Sequence, residues 1–187
     1  MVNSIKELKS KISKLNKQIS KLEAQVSKES TKLATKGFKE LFKKHKSLQS
    51  FSWNQYTPYF NDGEECVFSA YIDYISINGS DETESSYDVR QFLDTLHNPK
   101  KEINKLQKRI EEQKKQKYPY DYLEEQIKAI ENGSIEETRN KLAILEDIQE
   151  ILSTISDDTY KTLFGDHVTV TVTKDGWSRS EEHTSEL

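Results

Sequence analysis

The chain is poor in the residues that build disulfides, tight turns and membrane spans. Its 187 residues include one Cys, three Pro and six Gly. No apolar run approaches the ~20 residues that a transmembrane helix needs. A single Cys excludes an internal disulfide, which is typical of a reducing, intracellular setting. The N-terminal segment 1–11 also lacks the apolar core of a secretory signal. The sequence therefore predicts a cytoplasmic protein with no membrane partner.

Motifs of common enzymes are missing as well. The chain has no Gly-rich phosphate loop, no Cys/His zinc spacing and no Ser-centred hydrolase motif. We therefore expect a non-catalytic protein with no cofactor and no metal. One set of polar residues could form a metal site or an acid–base site if the two segments that carry it paired. It consists of Asp62, Glu64, Glu65, Cys66, Asp166 and His167. The favoured interpretation is structural, with the aspartates at turns and Cys66 in the core.

Apolar residues are scarce and charged residues abundant, at 33% and 32% of the chain. A typical globular domain has more apolar and fewer charged residues. The apolar residues are nevertheless regularly spaced, so the composition does not indicate disorder throughout. It predicts elongated helices with one narrow apolar stripe, attached to a small compact core.

The N-terminal segment carries a heptad repeat. Its apolar residues alternate in steps of three and four: Ile5, Leu8, Ile12, Leu15, Ile19, Leu22 and Val26. β-Branched residues at a and Leu at d favour a parallel two-stranded coiled coil. The competing interpretation is antiparallel pairing with a later helix of the same chain. We expect self-association through this helix. We expect Gly37 to interrupt the repeat and a separate short helix to follow it.

Charge is distributed unevenly along the chain. Residues 1–48 contain 13 Lys and 4 Glu, a balance of +9, whereas residues 61–98 contain nine acidic residues and one Arg, a balance of −8. A basic arm can bind phosphates. However, no aromatic residues are interleaved with these lysines to stack on bases. The lysines are therefore interpreted as the solvent face of a long helix, and a nucleic acid partner is not expected.

Two segments predict strands. From Cys66 to Ile77 the sequence alternates, with Phe68 and Ile72 on one face, and Val168–Thr173 alternates Val with Thr before the hairpin turn 174–176. We expect the segment 54–63 to be turn and extended chain. We also expect the block from Trp53 to Phe68 to pair as an antiparallel neighbour of the block from Phe164 to Gly176. The predicted fold class is α+β: a small antiparallel sheet with packed helices, a long N-terminal coiled-coil helix and a helical insertion.

The remaining helical segments lie between these strands. Pro99 should break or kink the first of them, Asn132-Gly133 should end a helix, and Ser134 with Glu137 forms a capping box that should begin the next. The predicted domain boundaries are a coiled-coil helix at 1–35, the first part of the core at 36–97, a helical insertion at 98–156, the C-terminal hairpin of the core at 157–177 and a non-native tail at 178–187.

The tail prediction rests on the last nine residues, RSEEHTSEL. They resemble the translation of a sequencing-library adapter, which implies a metagenomic origin. We therefore expect the tail to make few contacts and to be dispensable.

A long pattern surrounds the rare aromatic residues. It reads WNQYTPYFNDG from Trp53 to Gly63, followed by Cys66 and Phe68, and a second block reads FGDHVTVTVTKDG. The two blocks resemble an uncharacterised protein family that occurs mainly in bacteriophage genomes. The resemblance implies a viral origin, a small α+β core and a location in the cytoplasm of an infected bacterium. It brings no catalytic role.

Three functions follow as hypotheses. The first is a non-catalytic phage binding protein. Such a protein would act against host defence by sequestering a nucleotide immune signal or by blocking a host protein. The alternatives are a coiled-coil scaffolding protein and a small nucleotide-processing enzyme. For a ligand, the candidate stacking residues are Trp53, Tyr56 and Tyr59; the candidate polar contacts are Asn54, Gln55 and Asn61; and the candidate phosphate contacts are Lys43, Lys44 and Arg90. The competing interpretation places the aromatic residues in the core.

Overall fold

The computed structural model describes residues 2–60 and 63–181. The fold is α+β, as predicted. Its helices are α1 (Val2–Lys44), α2 (Ser86–His97), α3 (Pro99–Gln116), α4 (Asp121–Asn132), α5 (Ile135–Leu152) and α6 (Asp157–Phe164). Its strands are β1 (Ser50–Tyr56), β2 (Ser69–Ala70), β3 (Ser76–Ile77), β4 (Val168–Thr173) and β5 (Gly176–Glu181).

Helix α1 runs through Gly37 without a break, so the prediction of a separate short helix after Gly37 is wrong. The glycine serves packing instead of a turn. A Cβ atom at Gly37 would lie 3.1 Å from Cγ2 of Ile151 on α5. The missing side chain therefore lets α1 approach α5 closely. The C-terminal part of α1 contributes to the core through Ala34, Phe38, Leu41 and Phe42.

The sheet is antiparallel with strand order β2-β1-β4-β5, and β3 also pairs with β1. β1 and β4 pair with Trp53 opposite Val170 and Gln55 opposite Val168. The two blocks thus pair as antiparallel neighbours, as predicted, but they do so through β1 and not through the strand predicted from Cys66. Alternate residues of β1 are buried, which places Phe51, Trp53 and Gln55 on the core face.

The predicted continuous strand from Cys66 is wrong. This segment contains only the two-residue strands β2 and β3, and between them the chain turns, with the Tyr74 N–H donating to the Tyr71 carbonyl. Phe68 and Ile75 are both buried. They are seven residues apart, and an odd separation places two residues on opposite faces of a strand. The turn brings both side chains to the core.

Helices α1, α5 and α6 cover the core face of the sheet. The Trp53 ring packs edge-on against Phe164 and Tyr160 of α6, and the Phe51 ring packs against Phe38 of α1. From α5, the fully buried residues are Leu145, Ile148 and Leu152. This region of the predicted insertion therefore belongs to the main core.

A second apolar cluster joins α2, α3 and α4. Its buried members are Leu96, Leu106, Ile110, Leu123 and Ile130. Pro99 begins α3 immediately after α2 ends, as expected from its lack of an N–H. The Oγ of Ser134 accepts a hydrogen bond from the Glu137 N–H, which confirms the predicted cap of α5.

Strand β5 overlaps the segment predicted to be a non-native tail. It pairs with β4 along its whole length, from Gly176 to Glu181. Nη1 of Arg179 donates to the Phe164 carbonyl at 3.1 Å, and the Trp177 ring meets the Phe164 ring at 4.8 Å between centroids. The expectation of few contacts is therefore wrong for 178–181, because the hairpin turn before them supplies β4 with a partner. Residues 182–187 lie outside the described residues.

No membrane-spanning candidate occurs among these helices. Across residues 2–60 and 63–181, none combines the length and the apolar character that crossing a bilayer requires.

Candidate functional site

Trp53 and Gln55, proposed as ligand contacts, are core residues. Their side chains are 1% and 0% exposed. The Trp53 Nε1–H donates to Gln55 Oε1 at 3.1 Å. Gln55 Nε2 in turn donates to the carbonyls of Gly165 at 2.6 Å and Tyr160 at 3.2 Å. Neither residue is accessible to a ligand, because both lie on the core face of β1 and join the sheet to the end of α6.

The polar candidate Asn54 is occupied by contacts within the sheet. Its Oδ1 accepts a hydrogen bond of 2.7 Å from Thr169 Oγ1 on β4, and its carbonyl accepts one from the Tyr71 N–H. Asn61 lies outside the described residues.

The three candidate cations lie away from the aromatic segment and are already paired. Lys43 pairs with Glu40, Lys44 with Asp147 and Arg90 with Glu146. Lys44 ends α1 shortly before β1 begins, whereas Tyr59 follows the far end of β1. A seven-residue strand is about 20 Å long. Lys44 therefore cannot serve a ligand held at Tyr59, and Arg90 is placed with Lys44 because Glu146 and Asp147 are adjacent.

Tyr56 and Tyr59 do belong to a surface site, which we call the tyrosine–histidine face: Tyr56, Tyr59, Tyr71 and His167. The Tyr59 ring stacks on His167 with centroids 4.5 Å apart, and the Tyr56 ring stacks on Tyr71 at 4.6 Å. Tyr59 is 75% exposed. The hydrogen bond between Tyr71 and Tyr56, together with partial burial, raises the pKa of Tyr71 to about 12. Tyr71 is therefore a neutral hydroxyl at physiological pH.

Lys161 and Asp166 border this face. Lys161 Nζ lies 2.8 Å from Asp166 Oδ2 and donates to Thr57 Oγ1 at 3.2 Å. Asp166 also accepts from the Thr57 N–H at 2.8 Å and from its hydroxyl at 2.7 Å. Partial burial raises the pKa of Asp166, but the hydrogen bonds from Lys161 and Thr57 outweigh it and lower the pKa to about 2. The carboxylate thus ties the end of β1 to the start of β4.

The backbone around Asp166 explains the position of His167. Gly165 and His167 have φ angles of 100° and 54°. Two left-handed residues turn the chain sharply from α6 into β4, and such a φ is uncommon for a residue other than Gly. The turn directs the His167 ring to Tyr59.

The metal or acid–base cluster weighed from the sequence does not assemble in the part of the chain that the structure describes. No group of three or more His, Cys, Asp or Glu side chains is placed to hold a metal ion there. Asp166 is engaged by Thr57 and Lys161, and Cys66 is half-buried with a free thiol. Asp62 lies outside the described residues.

Replacing Asp166 with Asn should test its role as a tie. Because the folded pKa of about 2 lies below the ordinary value of about 4, the charged carboxylate stabilises the fold above pH 4. This contribution is lost as the pH falls towards 2. We expect Asp166→Asn to cost about 1–2 kcal/mol at neutral pH, after allowance for solvent screening, and to flatten the stability curve between pH 4 and 2.

Urea unfolding at several pH values measures the effect. The matched control is Asp94→Asn, which neutralises an exposed carboxylate on α2. An Asp166→Asn curve parallel to the wild-type curve across this pH range would contradict the prediction.

The second candidate site is the N-terminal half of α1. The heptad residues form what we call the aliphatic stripe: Ile5, Leu8, Ile12, Leu15, Ile19, Leu22 and Val26. Each of these side chains is between 51% and 60% exposed. The competing interpretation, pairing with a later helix of the same chain, is not seen among the described residues, where α3 and α4 pack on each other and on α2. The stripe lies open along about 33 Å of helix.

A groove runs beside the C-terminal end of the stripe. It has a volume of about 600 Å³ and separates α1 from α6. From α1 it is lined by Ile19, Leu22, Glu23, Val26 and Ser27, and from α6 by polar residues that include Asp158 and Lys161.

Sequence reasoning missed three members of the sites. Tyr71 was placed on a strand, His167 was considered as a metal ligand or catalytic residue and not as part of an aromatic face, and Lys161 was not considered. The adjacency of Asp166 and His167 in the second block was an available signal, because that block was expected to pair with the first. No pattern identified Lys161, whose position depends on where α6 ends.

A comparison of the chain with protein-family models, with curated proteins and with solved structures found no match.

Proposed function

We propose that the protein is a self-associating coiled-coil protein. In this proposal the N-terminal half of α1 joins two or more copies of the α+β part of the chain, residues 34–60 and 63–181, which we call the body. The observation that supports this is the exposed aliphatic stripe. Soluble monomers rarely expose a contiguous apolar surface of this length. A helix with apolar residues at a and d buries them by pairing with another helix.

The composition of α1 agrees with this role. The stripe contains β-branched residues at every a position and Leu at each of its d positions, and lysines occupy much of the remaining surface. The lysines keep the helix in water, and the stripe supplies the apolar area that pairing removes from water. In this proposal α1 holds the copies together, and the body is the part that is brought together or that binds a partner.

Replacing Leu15 with Glu should dissociate the assembly. A carboxylate in the middle of the stripe would have to be buried without a partner. We expect the dissociation constant to rise at least tenfold, with loss of helical signal from α1 at low concentration. Light scattering after size exclusion measures the mass against the 21.8 kDa of one chain.

The matched control is Lys17→Gln, which makes the same change of charge outside the stripe. It should leave the mass unchanged. A wild-type chain that remains monomeric at every concentration tested, or a Leu15→Glu variant that assembles like the wild type, would contradict the proposal.

A second candidate function is capture of a planar, anionic ligand on the tyrosine–histidine face. It is favoured by one observation: the exposed Tyr59 ring lies on His167, and the Lys161 ammonium lies 2.8 Å from the carboxylate of the preceding residue, Asp166. Aromatic rings stack on bases, and a lysine can pair with phosphate. In the context of the bacteriophage resemblance, the protein would sequester a nucleotide signal without transforming it, or bind a host protein.

Tyr59→Ala and Lys161→Gln should then each weaken nucleotide binding about tenfold or more, because stacking contributes roughly 1–3 kcal/mol per base. Calorimetry with a panel of mono- and cyclic nucleotides measures this. Tyr74→Ala is the control, since Tyr74 is exposed outside the face. If the wild-type protein binds no member of the panel, or if the Tyr74 variant loses as much affinity as the Tyr59 variant, the ligand hypothesis is wrong.

A further inference from the structure

We propose that the occupant of the aliphatic stripe is a second copy of this chain in antiparallel orientation, with its lysine-rich N-terminal half lying along the groove beside α6. This inference rests on the proposed function, and it adds the direction and register of the pairing. It differs from the parallel arrangement that was expected from the sequence.

The apolar layers permit this orientation. With the two-fold axis near Lys17, Ile12 faces Leu22 of the second copy, Ile19 faces Leu15, and Val26 faces Leu8. Only Ile5, at the end of the stripe, meets a polar residue, Glu29. A parallel pair would also match every layer, so the stripe alone does not decide the direction.

The flanking residues do distinguish the two directions. Lys9 and Glu23 both occupy the e position of the heptad. In an antiparallel pair each e residue faces an e residue of the second copy, so in this register Lys9 of each copy lies opposite Glu23 of the other. In a parallel pair, residues at g face the following e of the partner. Those pairs are Lys11 with Asn16, Gln18 with Glu23 and Gln25 with Ser30, and none of them joins opposite charges. Charges at these positions set orientation in coiled coils.

The charge along α1 points the same way. Residues 5–17 contain five Lys and one Glu, a balance of +4, whereas residues 18–32 contain three Lys and two Glu, a balance of +1. A parallel pair places the two +4 segments side by side. An antiparallel pair places each +4 segment beside a +1 segment, which reduces the repulsion.

The groove adds a third, independent argument. It lies on the flank of α1 that carries Glu23 and Ser27, and α6 forms its other wall. The first turn of α6 contains Asp157 and Asp158. Asp158 lines the groove together with Lys161, whose charge is already paired with Asp166. In the antiparallel register, Lys6 and Lys9 of the second copy reach this flank. Opposite charges therefore meet on the body as well as along the helix.

The contact with α6 would also compensate for the shortness of the coiled coil. Three heptads give a short coiled coil, and short helices in isolation are marginal in water. Residues lining the groove would extend the interface from the stripe to each body. In a parallel pair, uncharged residues such as Gln18 and Gln25 would face this flank.

Cysteine cross-linking tests the direction. In a Cys66→Ser background, Asn16→Cys lies next to its own copy near the axis of the antiparallel pair and should form a disulfide-linked dimer under mild oxidation. Leu8→Cys should not, because its two copies lie about 27 Å apart. A parallel pair gives the opposite result, with a linked Leu8→Cys dimer and no linked Asn16→Cys dimer. That result, or a dimer in which neither cysteine cross-links, would overturn the proposal.

Charge reversal tests the register without cysteines. Lys9→Glu and Glu23→Lys should each raise the dissociation constant of the full-length chain about tenfold, and the double variant should return it close to the wild-type value. Lys17→Glu, on the outer surface, is the control. A double variant as weak as either single variant overturns the register. A wild-type chain without any dimer is a different outcome, and it refutes the proposed function as well.

Discussion

Replacing Gln55 with Ala should lower the free energy of unfolding by about 3–5 kcal/mol. The side chain is fully buried and hydrogen-bonds three groups: the Trp53 Nε1–H and the Tyr160 carbonyl, which are buried, and the Gly165 carbonyl, which is partly buried. Its removal leaves all three without their partner and creates a cavity next to the largest ring of the core. Such an effect is large because a buried polar group without a hydrogen bond retains its full cost of desolvation.

Denaturant unfolding measures this loss, and Tyr59→Ala is the contrasting variant. Tyr59 is exposed, so its replacement should change the stability by only about 0.5 kcal/mol or less. If Gln55→Ala is as stable as the wild type to within 1 kcal/mol, the hydrogen-bond network around Trp53 is wrong. Comparable losses in both variants would contradict the exposed position of Tyr59.

Truncation after Asp175 should have an effect of similar or greater size. It removes β5, and with it the Trp177 ring that packs on Phe164 and the hydrogen bonds to β4. We expect a loss of roughly 3 kcal/mol or more, because a large aromatic contact and a strand are lost together. Strand β4 would also become an open edge, so the truncated protein should aggregate at concentrations where the full chain does not.

Thermal unfolding and light scattering together measure both effects. The control is truncation after Glu181, which retains β5. The expectation that the last residues are dispensable predicts no change for this variant. If the chain truncated after Asp175 unfolds and stays in solution like the control, β5 contributes nothing to the fold.

The sequence predicted the elements whose patterns are long and local. The heptad repeat of α1, the capped start of α5 at Ser134 and the alternating β4 all occur. In each case the residues that form the element lie close together in the chain, so a periodicity of 3.6 or 2 is visible without knowledge of the rest. The pairing of β1 with β4 followed from treating the two blocks as parts of one core.

The core position of Gln55 and the path after Cys66 were not predictable in the same way. Gln55 is polar, and its burial depends on two carbonyls that arrive from α6, more than a hundred residues later in the chain. The alternation from Cys66 to Ile77 was real, but pairing with β1 is confined to its two ends. β1 itself alternates at Phe51, Trp53 and Gln55, but no strand was predicted from that signal, and the segment from Asn54 onward was assigned to turn and extended chain.

The candidate site was predicted in part. The sequence located Tyr56 and Tyr59 of the tyrosine–histidine face, but the cations it proposed beside them, Lys43, Lys44 and Arg90, lie away from that face. Lys43 and Lys44 precede β1 in the chain, and a strand places its two ends far apart. The lysine that borders the face is Lys161, which pairs with Asp166 next to His167, because α6 ends beside the β1–β4 ladder. Proximity in sequence was a poor guide where an extended strand intervened.

The unbroken course of α1 through Gly37 fixes the angular relation between the aliphatic stripe and the body. Each residue of a helix advances the surface by about 100°, so the number of residues between Val26 and Ala34 determines the side of the body on which the stripe emerges. Insertion of one residue there would rotate the stripe away from the α6 groove. Insertion of seven would nearly restore its direction and move it outward by about 10 Å. The number of residues between the stripe and the body therefore determines the relative orientation of two bodies in the assembly.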